Sequence, residues 1–595
     1  MTKDELIARL GKYEWNDVEF KKAQRGVPES AYETVSAFAN TDGGWLVFGV
    51  LEGELGYEIV GVDDVDKVQN DFLSCLRSQG KLNRPVDAKA DAIDFEGRTV
   101  LTFHIPETQR TDKPVYLRGD IRRSYIRRGA GDERCTQREI ERFLRDATPQ
   151  PFDNEVIEGL DENDFYDERT LSWYRQCFNE REPGRQETLN DREFLLEWGF
   201  LIDRQQQLLV TRTALLLFGK ARFVRQYLSR PIVDFQIIHQ PFEHWSADQR
   251  WADRIVVEDN ILQGWLAIVD RYMKHADRPF EIDAATLRRH DEPPDYISFR
   301  EAAINLLIHQ DYGDTGRHAQ IQIFHDRTRF WNPGDAFQGA DHLLEPGAKE
   351  LRNPNIVGAL RRIGLSDQAG TGIRAIFRNW RQLGNDLPQI NNQRSEKAFE
   401  LLLVKELLLT ETQKRFQKEL GAHLDDQQAA LLAYACRHGR LTLTQAKAIT
   451  GLHTEEASDA LKTLIVQVLL KGPDSGNTYH LADQLRERYA KSSQKEESST
   501  KAGPESGPES RLESGLESET AYLILKQLVQ KPLSRSEIAT SLGHSSVSGA
   551  VNRGIKELLK KELIAYTIPD KPNSRLQKYQ LTDKGRQSIT GAQGE

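Results

Sequence analysis

The sequence has few cysteines, and none of them is spaced for a metal site. Only four occur in 595 residues, without any Cys-x-x-Cys pair: Cys75, Cys135, Cys177 and Cys436. Structural zinc sites need closely spaced thiolate or imidazole ligands, so the sequence offers no sign of one. Sparse cysteine is typical of a chain that works in a reducing compartment, and we expect a cytoplasmic protein.

Long apolar runs and an excess of basic residues are also missing. No stretch approaches the ~20 apolar residues that a membrane span needs, and the opening MTKDELIARL does not resemble a signal peptide, so we expect no membrane association. Lys and Arg total 81 against 91 Asp and Glu, which gives a net charge of −10. This balance excludes a protein that coats nucleic acid over its whole surface, so any such contact must be local.

The most informative stretch is Phe299 to Gly313, FREAAINLLIHQDYG. At helical spacing Glu301, Asn305 and His309 share one face, while apolar residues cover the other sides. Burying an unpaired carboxylate is costly. The polar stripe must therefore face either solvent or a polar partner.

Two later stretches favour the polar partner. Residues 330–335 have the sequence FWNPGD after an alternating strand, and Gly370-Thr371-Gly372 opens a new helical run. A helix with Glu and Asn, a strand ending in NPG and a GTG before a helix, in this order, resemble the Bergerat (GHKL) ATP-binding fold. The similarity is to the divergent branch found at the C-terminal side of bacterial RecG-like or divergent AAA-4 regulators.

The resemblance implies a bound ATP with Mg²⁺, and the residue chemistry suits both. Asn305 offers a neutral oxygen to the metal ion, and Glu301 can orient or deprotonate an attacking water. Gly370 and Gly372, on either side of Thr371, allow the backbone to approach phosphate at the start of a helix. The same resemblance brings three further residues to the nucleotide: His309, Asn332 and Gly334.

Two departures from the family pattern bear on activity. Asn332 stands where the motif meets the adenine, but the better-known branches use an aspartate there. Gln310 stands where the family often has arginine. ATP binding is therefore better supported than fast hydrolysis. Residues 353–362 are the expected lid, and four arginines are candidate phosphate contacts: Arg352, Arg361, Arg362 and Arg374.

The N-terminal region carries a second resemblance. Residues 14–21 follow the pattern ExxxxEFK, and residues 36–50 have the sequence SAFANTDGGWLVFGV, in which a double glycine leads into an apolar strand. Such a strand predicts a sheet buried on both faces. Together with the closing SYIRRG, these patterns resemble the AlbA-like domain of the Schlafen and divergent AAA-4 families, over nearly all of residues 10–145.

A basic strip lies within this region. Residues 113–128 hold six basic residues and one acid, a local net charge of +5. It can contact a phosphate backbone without recognising bases, or it can be a solvated strand pair whose arginines form salt bridges. The candidate nucleic-acid contacts are Arg118, Arg122, Arg123, Arg127 and Arg128.

Schlafen nucleases use three carboxylates as a metal-dependent cleavage site, and by motif these correspond to Glu14, Glu19 and Glu52. Such a cluster can hold Mg²⁺ or Mn²⁺ and activate water. Many non-nucleolytic relatives share ExxxxEFK, and Glu52 replaces the more usual aspartate. Convergence of the three carboxylates would favour an enzyme, and a solvent-facing Glu52 would favour a binding regulator.

Two C-terminal segments resemble winged helix-turn-helix domains. The third helix of the first begins with acidic residues at 455, 456 and 459, which favours packing or oligomerisation over DNA recognition. The second, from 519 to 586, has twelve basic and six acidic residues, with Arg553 and Lys556 as candidate contacts. It can equally serve protein contacts. Residues 491–518 between them are a predicted flexible tether.

The predicted fold class is a multidomain α/β and α+β protein. Its parts are an AlbA-like Schlafen domain (1–148), a helical connector (149–210), a GHKL ATPase-like domain (211–408), a first winged helix (420–490), the tether (491–518) and a second winged helix (519–590). The leading hypothesis is an ATP-binding regulator that self-associates and engages DNA or RNA under nucleotide control. The alternatives are a metal-dependent Schlafen-type nuclease in antiviral defence and an ATP-dependent scaffold.

Overall fold

The structure, a computed structural model, divides the chain into two units, residues 1–489 and 490–595. Four predicted site residues, Glu14, Gly370, Arg553 and Lys556, lie outside the described residues, as does the predicted tether. The described residues are 3–10, 16–53, 56–78, 80–148, 150–183, 189–246, 251–276, 293–337, 339–345, 347, 349–366, 371–474 and 477–490, with short segments between 524 and 586.

The N-terminal region is built on a four-stranded sheet with strand order β1-β2-β6-β5, in which β1 and β2 are parallel. In β2, Leu46 and Phe48 join one buried cluster and Val47 joins another, so the prediction of a sheet buried on both faces is confirmed. The elements are α1 Lys3–Leu10, β1 Val18–Lys21, α2 Ser30–Asn40, β2 Gly44–Phe48, β3 Val50–Gly53, β4 Gly56–Ile59, α3 Val65–Arg77, β5 Lys89–Phe95, β6 Arg98–Ile105, β7 Tyr125–Arg128, β8 Gly131–Arg134 and α4 Gln137–Ala147.

The segment predicted as a helical connector contains strands as well as helices. Its strands form a small sheet with order β10-β11-β9. Buried aromatic residues such as Phe165, Tyr174 and Phe194 extend the core of the following region through it. The many acids of this segment concealed that apolar pattern, and the connector prediction is corrected accordingly. The elements are β9 Val156–Ile157, α5 Glu168–Arg181, α6 Asp191–Glu197, β10 Leu201–Arg204 and β11 Gln207–Thr211.

The central region has a six-stranded sheet with strand order β13-β12-β14-β15-β17-β16, antiparallel except for the β12–β14 pair. Helix α9 begins at Ile261, because the residues just before it alternate in burial and form β13. The elements are α7 Arg212–Phe218, α8 Ala221–Tyr227, β12 Val233–Ile237, β13 Asp253–Val257, α9 Ile261–His275, α10 Tyr296–His309, β14 Ala319–Ile323, β15 Arg327–Pro333, α11 Ala340–Leu344, α12 Pro354–Arg362, α13 Gly372–Gln382, β16 Gln389–Gln393 and β17 Ala398–Val404.

Helix α10 is buried over most of its surface and carries the predicted polar stripe. From residue 302 to residue 308 every position except Asn305 is buried, while Glu301, Asn305 and His309 keep some exposure. Two side chains satisfy backbone groups at its C-terminal end. Asn353 donates from Nδ2 to the carbonyls of Ile308 and Gln310, both at 2.9 Å, and Arg230 donates to the carbonyl of Asp311 at 2.8 Å.

The last part of the first unit combines four helices with a small three-stranded sheet. Capping boxes at Asp425 and Thr442 start α15 and α16. The strands have order β18-β20-β19, and the core continues into Phe377 and Leu387 of the central region. The elements are α14 Glu411–Leu420, α15 Asp426–His438, β18 Arg440–Thr442, α16 Leu443–Thr450, α17 Thr454–Val466, β19 Leu470–Asp474 and β20 Thr478–Leu481.

The described part of the second unit is a small apolar cluster beside one antiparallel strand pair, β21 Ile564–Tyr566 and β22 Tyr579–Leu581. Ile524, Ile538 and Leu558 are among its buried residues. Across the described residues of the whole chain, no helix is both long enough and apolar enough to cross a membrane.

Candidate nucleotide site and nucleic-acid interface

A cavity of about 150 Å³ lies beside α10, between the central sheet and the start of α13. Its lining comes from segments spread along the sequence from Glu301 to Leu401. Every described motif residue that sequence analysis assigned to a nucleotide lines this cavity: Glu301, Asn305, His309, Asn332, Gly334, Thr371 and Gly372. Of the four arginines expected at the phosphates, Arg352 lines the cavity, whereas Arg361, Arg362 and Arg374 do not.

At one end of the cavity, α13 begins directly against the polar stripe of α10. A Cβ on Gly372 would lie 3.0 Å from Nδ2 of Asn305 and 3.3 Å from Oε2 of Glu301, so only glycine lets the two helices approach this closely. Arg300 donates to Oε1 of Glu301 at 2.6 Å. The side chain of Thr371 makes no capping hydrogen bond to the first turn of α13. A carboxylate, an amide and a helix N-terminus therefore meet here.

At the other end, β15 leaves the sheet through the NPG motif. Asn332 is buried, and its Nδ2 donates to the carbonyls of Pro333 at 3.2 Å and Gly334 at 3.3 Å. Gly334 has φ of +101°, and a Cβ there would lie 2.9 Å from Nε of Arg352. Glycine is thus required for both the turn and the close approach.

Apolar side chains form the walls between the two ends, among them Ile308, Phe330, Val357 and Leu401. Burial, with the positive charge of Arg352, lowers the pKa of His309 to about 4. His309 is therefore a neutral imidazole at pH 7 and adds no charge to the cavity. A mostly apolar cavity with a few polar groups at its ends is the usual form of a small-ligand site.

Sequence analysis gave too little weight to Arg352 and missed Asp335. Arg352 lines the cavity, and its Nη2 donates to the carbonyl oxygen of Asp335 at 3.0 Å and to Oδ1 at 3.2 Å. The position of Asp335 directly after NPG was the signal for it. The expected lid is corrected: α12 follows Asn353 as a core helix, with Ile356 and Leu360 buried.

The donor set at the Glu301 end fits a metal ion that phosphates help to hold. Mg²⁺ keeps several waters and takes few protein oxygens when it binds with a nucleotide, so Asn305 alone is an adequate protein ligand. Within the part of the chain that the structure describes, no group of three or more His, Cys, Asp or Glu side chains is placed to hold a metal ion without phosphate.

Glu19 and Glu52, two of the three carboxylates of the nuclease hypothesis, have different surroundings. Glu19 is bound by Nη1 of Arg127 at 2.9 Å and by Nζ of Lys21 at 2.6 Å, which makes it part of an internal charge network. Glu52 lies exposed on β3. Glu14 is outside the described residues. A solvent-facing Glu52 is the outcome that favours a binding protein.

The basic strip is largely neutralised by carboxylates from outside residues 113–128. Arg127 is 6% exposed and is held by Glu19, by Asp132 at 2.8 Å and by the carbonyl of Val18 at 3.0 Å. The prediction that Arg127 contacts nucleic acid is therefore corrected, because its guanidinium has no free face. The other four keep part of their surface beside these partners: Arg118 with Glu29, Arg122 with Asp120, Arg123 with Glu33, and Arg128 with Glu133, Glu139 and Glu396.

Comparison with known proteins places family boundaries on these regions. The family described as "Schlafen, AlbA_2" matches residues 14–136, and "Putative ATP-dependent DNA helicase recG C-terminal" matches residues 316–403. A domain of unknown function matches residues 141–234, and "Filamentation induced by cAMP protein Fic-like, C-terminal domain" matches residues 520–582. No curated protein matches the chain.

Two solved structures are similar to parts of the chain. The DIP2311 protein from Corynebacterium diphtheriae is 18% identical, over 79% of this chain and 93% of that one, with a TM-score of 0.37. The N-terminal domain of a "putative ATP-dependent DNA helicase RecG-related protein" from Nitrosomonas europaea is 34% identical, over 22% of this chain and 90% of that one, with a TM-score of 0.17.

The fold and the cavity define a multidomain, mixed α/β protein with an ATPase-like domain. The Schlafen AlbA_2 match covers the N-terminal sheet, and the RecG C-terminal match covers part of the central sheet. The chain carries a Schlafen AlbA_2-type domain at residues 14–136 and a RecG-like C-terminal ATPase domain at residues 316–403.

Substitution of Gly372 tests the close approach of α13 to α10. We expect Gly372→Ala to displace the Asn305 amide by a few tenths of an ångström and to weaken Mg-ATP binding about tenfold, a free-energy change of ~1.4 kcal/mol. Gly358→Ala in α12 is the matched control, because nothing lies within 4 Å of its added Cβ. Calorimetric titration of both variants is the measurement. Equal Mg-ATP affinities of the two variants would contradict a nucleotide bound beside Gly372.

Substitution of Arg127 tests its internal role. Arg127→Met leaves Asp132 without its cation and Glu19 with Lys21 alone, so we expect a loss of roughly 3 kcal/mol in local stability, as for other broken buried pairs. Arg122→Met is the control, because this side chain is 78% exposed and its surface pair contributes little. Hydrogen exchange in β1 and β7 of the full chain is the measurement. Equal rates of amide exchange in the two variants would show that Arg127 does not stabilise these strands.

Proposed function

We propose that the chain is an ATP-binding, nucleic-acid-binding regulator whose nucleotide occupies the cavity beside α10. The observation that carries this proposal is the convergence of seven residues from three sequence motifs on one cavity. The family assignment supports it at a coarser level, as that of a nucleic-acid-associated, ATP-binding protein. ATP with Mg²⁺ is the proposed ligand pair.

The Glu301 end of the cavity suits the phosphates. The first turn of α13 offers backbone N–H groups whose dipoles favour an anion. Asn305 would hold Mg²⁺ through its amide oxygen, and the ion would neutralise charge on the phosphates. Glu301, oriented by its ion pair with Arg300, would accept a hydrogen bond from a water beside the terminal phosphate. Gln310 in place of the family's arginine favours slow hydrolysis or sensing.

The Asn332 end of the cavity suits an adenine. Nδ2 of Asn332 donates to two backbone carbonyls, which leaves Oδ1 as the acceptor that Asn332 presents. An acceptor fits the 6-amino group of adenine and repels the 6-oxo group of guanine. Asparagine in this orientation therefore performs the role of the family's aspartate, and Phe330 and Leu401 supply apolar surface for the ring.

The terminal regions are the proposed nucleic-acid and assembly surfaces. On the AlbA-like domain we propose Arg118, Arg122, Arg123 and Arg128 as phosphate contacts. Residues 426–481 have the element order of a winged helix, and their contact with the central region supports a packing role. Arg437 donates to Asp386 at 2.9 Å, and the core is continuous. The proposed second winged helix, with Arg553 and Lys556, would bind DNA or a protein, and self-association remains a prediction.

The nuclease alternative has no supporting observation among the described residues. Glu19 is engaged by two cations, and Glu52 faces solvent. Binding without cleavage is therefore the favoured function. Cleavage of labelled RNA or DNA that disappears in a Glu14→Ala/Glu19→Ala variant would reverse this preference.

Removal of the proposed magnesium ligand tests the ATP site. We expect the full chain to bind one Mg-ATP per cavity and Asn305→Ala to weaken that binding by one to two orders of magnitude, because a metal–oxygen bond is lost. The matched control is Asn391→Ala, an exposed asparagine on β16. Titration calorimetry with excess Mg²⁺ is the measurement. Absence of binding in the unmodified chain would refute the proposed function.

Substitution of Asn332 tests base selection. The unmodified chain should prefer ATP to GTP, and Asn332→Leu should lose about 1–3 kcal/mol of ATP affinity, the cost of a missing buried acceptor. Asn332→Asp should retain ATP binding because a carboxylate oxygen also accepts from the 6-amino group. Competition of ATP and GTP for a fluorescent nucleotide is the measurement. Equal affinity for both in the unmodified chain would exclude this role for Asn332.

A further inference from the structure

The nucleotide cavity is tied to the N-terminal region through α4. This helix directly follows the AlbA_2 match and packs on it, since Ile140 and Phe143 share a buried cluster with Ile126 of β7. Its opposite face meets the central region by three ion pairs, in which Arg142 binds Asp314 at 2.9 Å, Arg145 binds Asp311, and Asp146 binds Arg352 at 2.5 Å.

Of these three pairs, the one at Asp146 reaches the cavity wall. Arg352 lines the cavity and lies 206 positions from Asp146 in the sequence. Both side chains are at least nine-tenths buried, at 9% and 5% exposed. Nη1 of Arg352 donates to Asp146, and Nη2 donates to Asp335, so the guanidinium bridges α4 and the turn that follows NPG.

Cationic side chains help to hold the turn at residues 334–337, which lines the cavity, together with hydrogen bonds to the carbonyl of Lys397 and the side chain of Asn392. The guanidinium of Arg352 stacks 4.4 Å from the ring centroid of Phe337, and that of Arg110 lies 4.7 Å from the same ring. Lys397 binds Asp335 at 3.2 Å and Asp146 at 3.5 Å. The carboxylate of Asp146 therefore pairs with both of the cations that bind Asp335, Arg352 and Lys397.

A second link supports the same connection. Arg394 is 4% exposed, and its Nε lies 3.1 Å from Oδ1 of Asp42, in the turn before the double glycine of the AlbA-like motif. It also binds Glu107 and donates to the carbonyl of Phe337 at 3.4 Å. Two turns of the N-terminal region thus reach the same wall of the cavity.

The electrostatics of the pair agree with a permanent ionic tie. Burial raises the pKa of Asp146, but the charges of Arg352 and Lys397 outweigh burial and bring that pKa below its ordinary value. Opposite charges buried this closely resist separation, because a broken pair leaves an uncompensated charge in a poorly hydrated site.

We infer that Asp146 is a positioning residue of the nucleotide site, and that through it nucleotide binding is coupled to α4 and the AlbA-like domain. The inference rests on the proposed function. Asp146 does not touch the cavity itself. It holds Arg352 against the turn at 334–337, so the base end of the cavity is incomplete without a carboxylate supplied from the N-terminal side.

Nucleotide titration and hydrogen exchange of the full chain test this inference. The probe is a non-hydrolysable ATP analogue with Mg²⁺. In the unmodified chain, nucleotide should slow amide exchange in α4, which lies outside the cavity. Asp146→Asn, nearly identical in shape, should lower nucleotide affinity about tenfold and abolish the effect of nucleotide on α4. A residue with only a structural role would not change that nucleotide-dependent difference.

The matched control is Arg142→Gln, which breaks an ion pair between the same helix and the same region but away from Arg352. We expect it to keep both the affinity and the response of α4. Equal behaviour of the two variants, or an unmodified chain that binds nucleotide with unchanged exchange in α4, would overturn the inference alone. An unmodified chain that binds no nucleotide would refute the proposed function together with the inference.

Discussion

The constraint on which the structure depends is the burial of a helix that is apolar on every side but one. Helix α10 can enter the central core only if something polar covers Glu301, Asn305 and His309, since an unpartnered polar stripe would oppose burial. The protein meets this constraint with a cavity, closed at one end by Gly372 and at the other by the turn at Gly334. The feature that makes α10 foldable in this position is therefore the one that makes a ligand site.

Pairing of buried charges also links other parts of the first unit. Within the described residues, cations of the N-terminal and central regions are repeatedly paired across the boundary between them, as with Arg394 and Asp42, Arg128 and Glu396, and Arg352 and Asp146. Such pairs add little to the free energy of unfolding, because their attraction is offset by the hydration that the charges lose on burial. Their geometry nevertheless favours one arrangement of the two regions. The inferred coupling of nucleotide binding to α4 runs through one of these pairs, Arg352 and Asp146.

The sequence was informative where function is carried by local pattern. The three motifs predicted seven of the cavity-lining residues. It was misleading where charge is balanced by distant partners. Arg127 belongs to a strongly basic strip, yet Glu19 lies 108 positions away in the sequence and buries it. No local pattern could connect Asp146 with Arg352, and the small sheet of β9, β10 and β11 was hidden by the acids around it.

The central claim is that the base of ATP lies at the NPG end of the cavity and its phosphates at the start of α13. The most direct test is photolabelling of the full chain with 8-azido-ATP and Mg²⁺, followed by mapping of the modified peptide. We predict label within residues 330–337 or in the facing part of α10, and we expect ATP to displace this label more readily than GTP does. Label confined to the AlbA-like region or to residues 426–481, or label that ATP does not displace, would contradict this prediction.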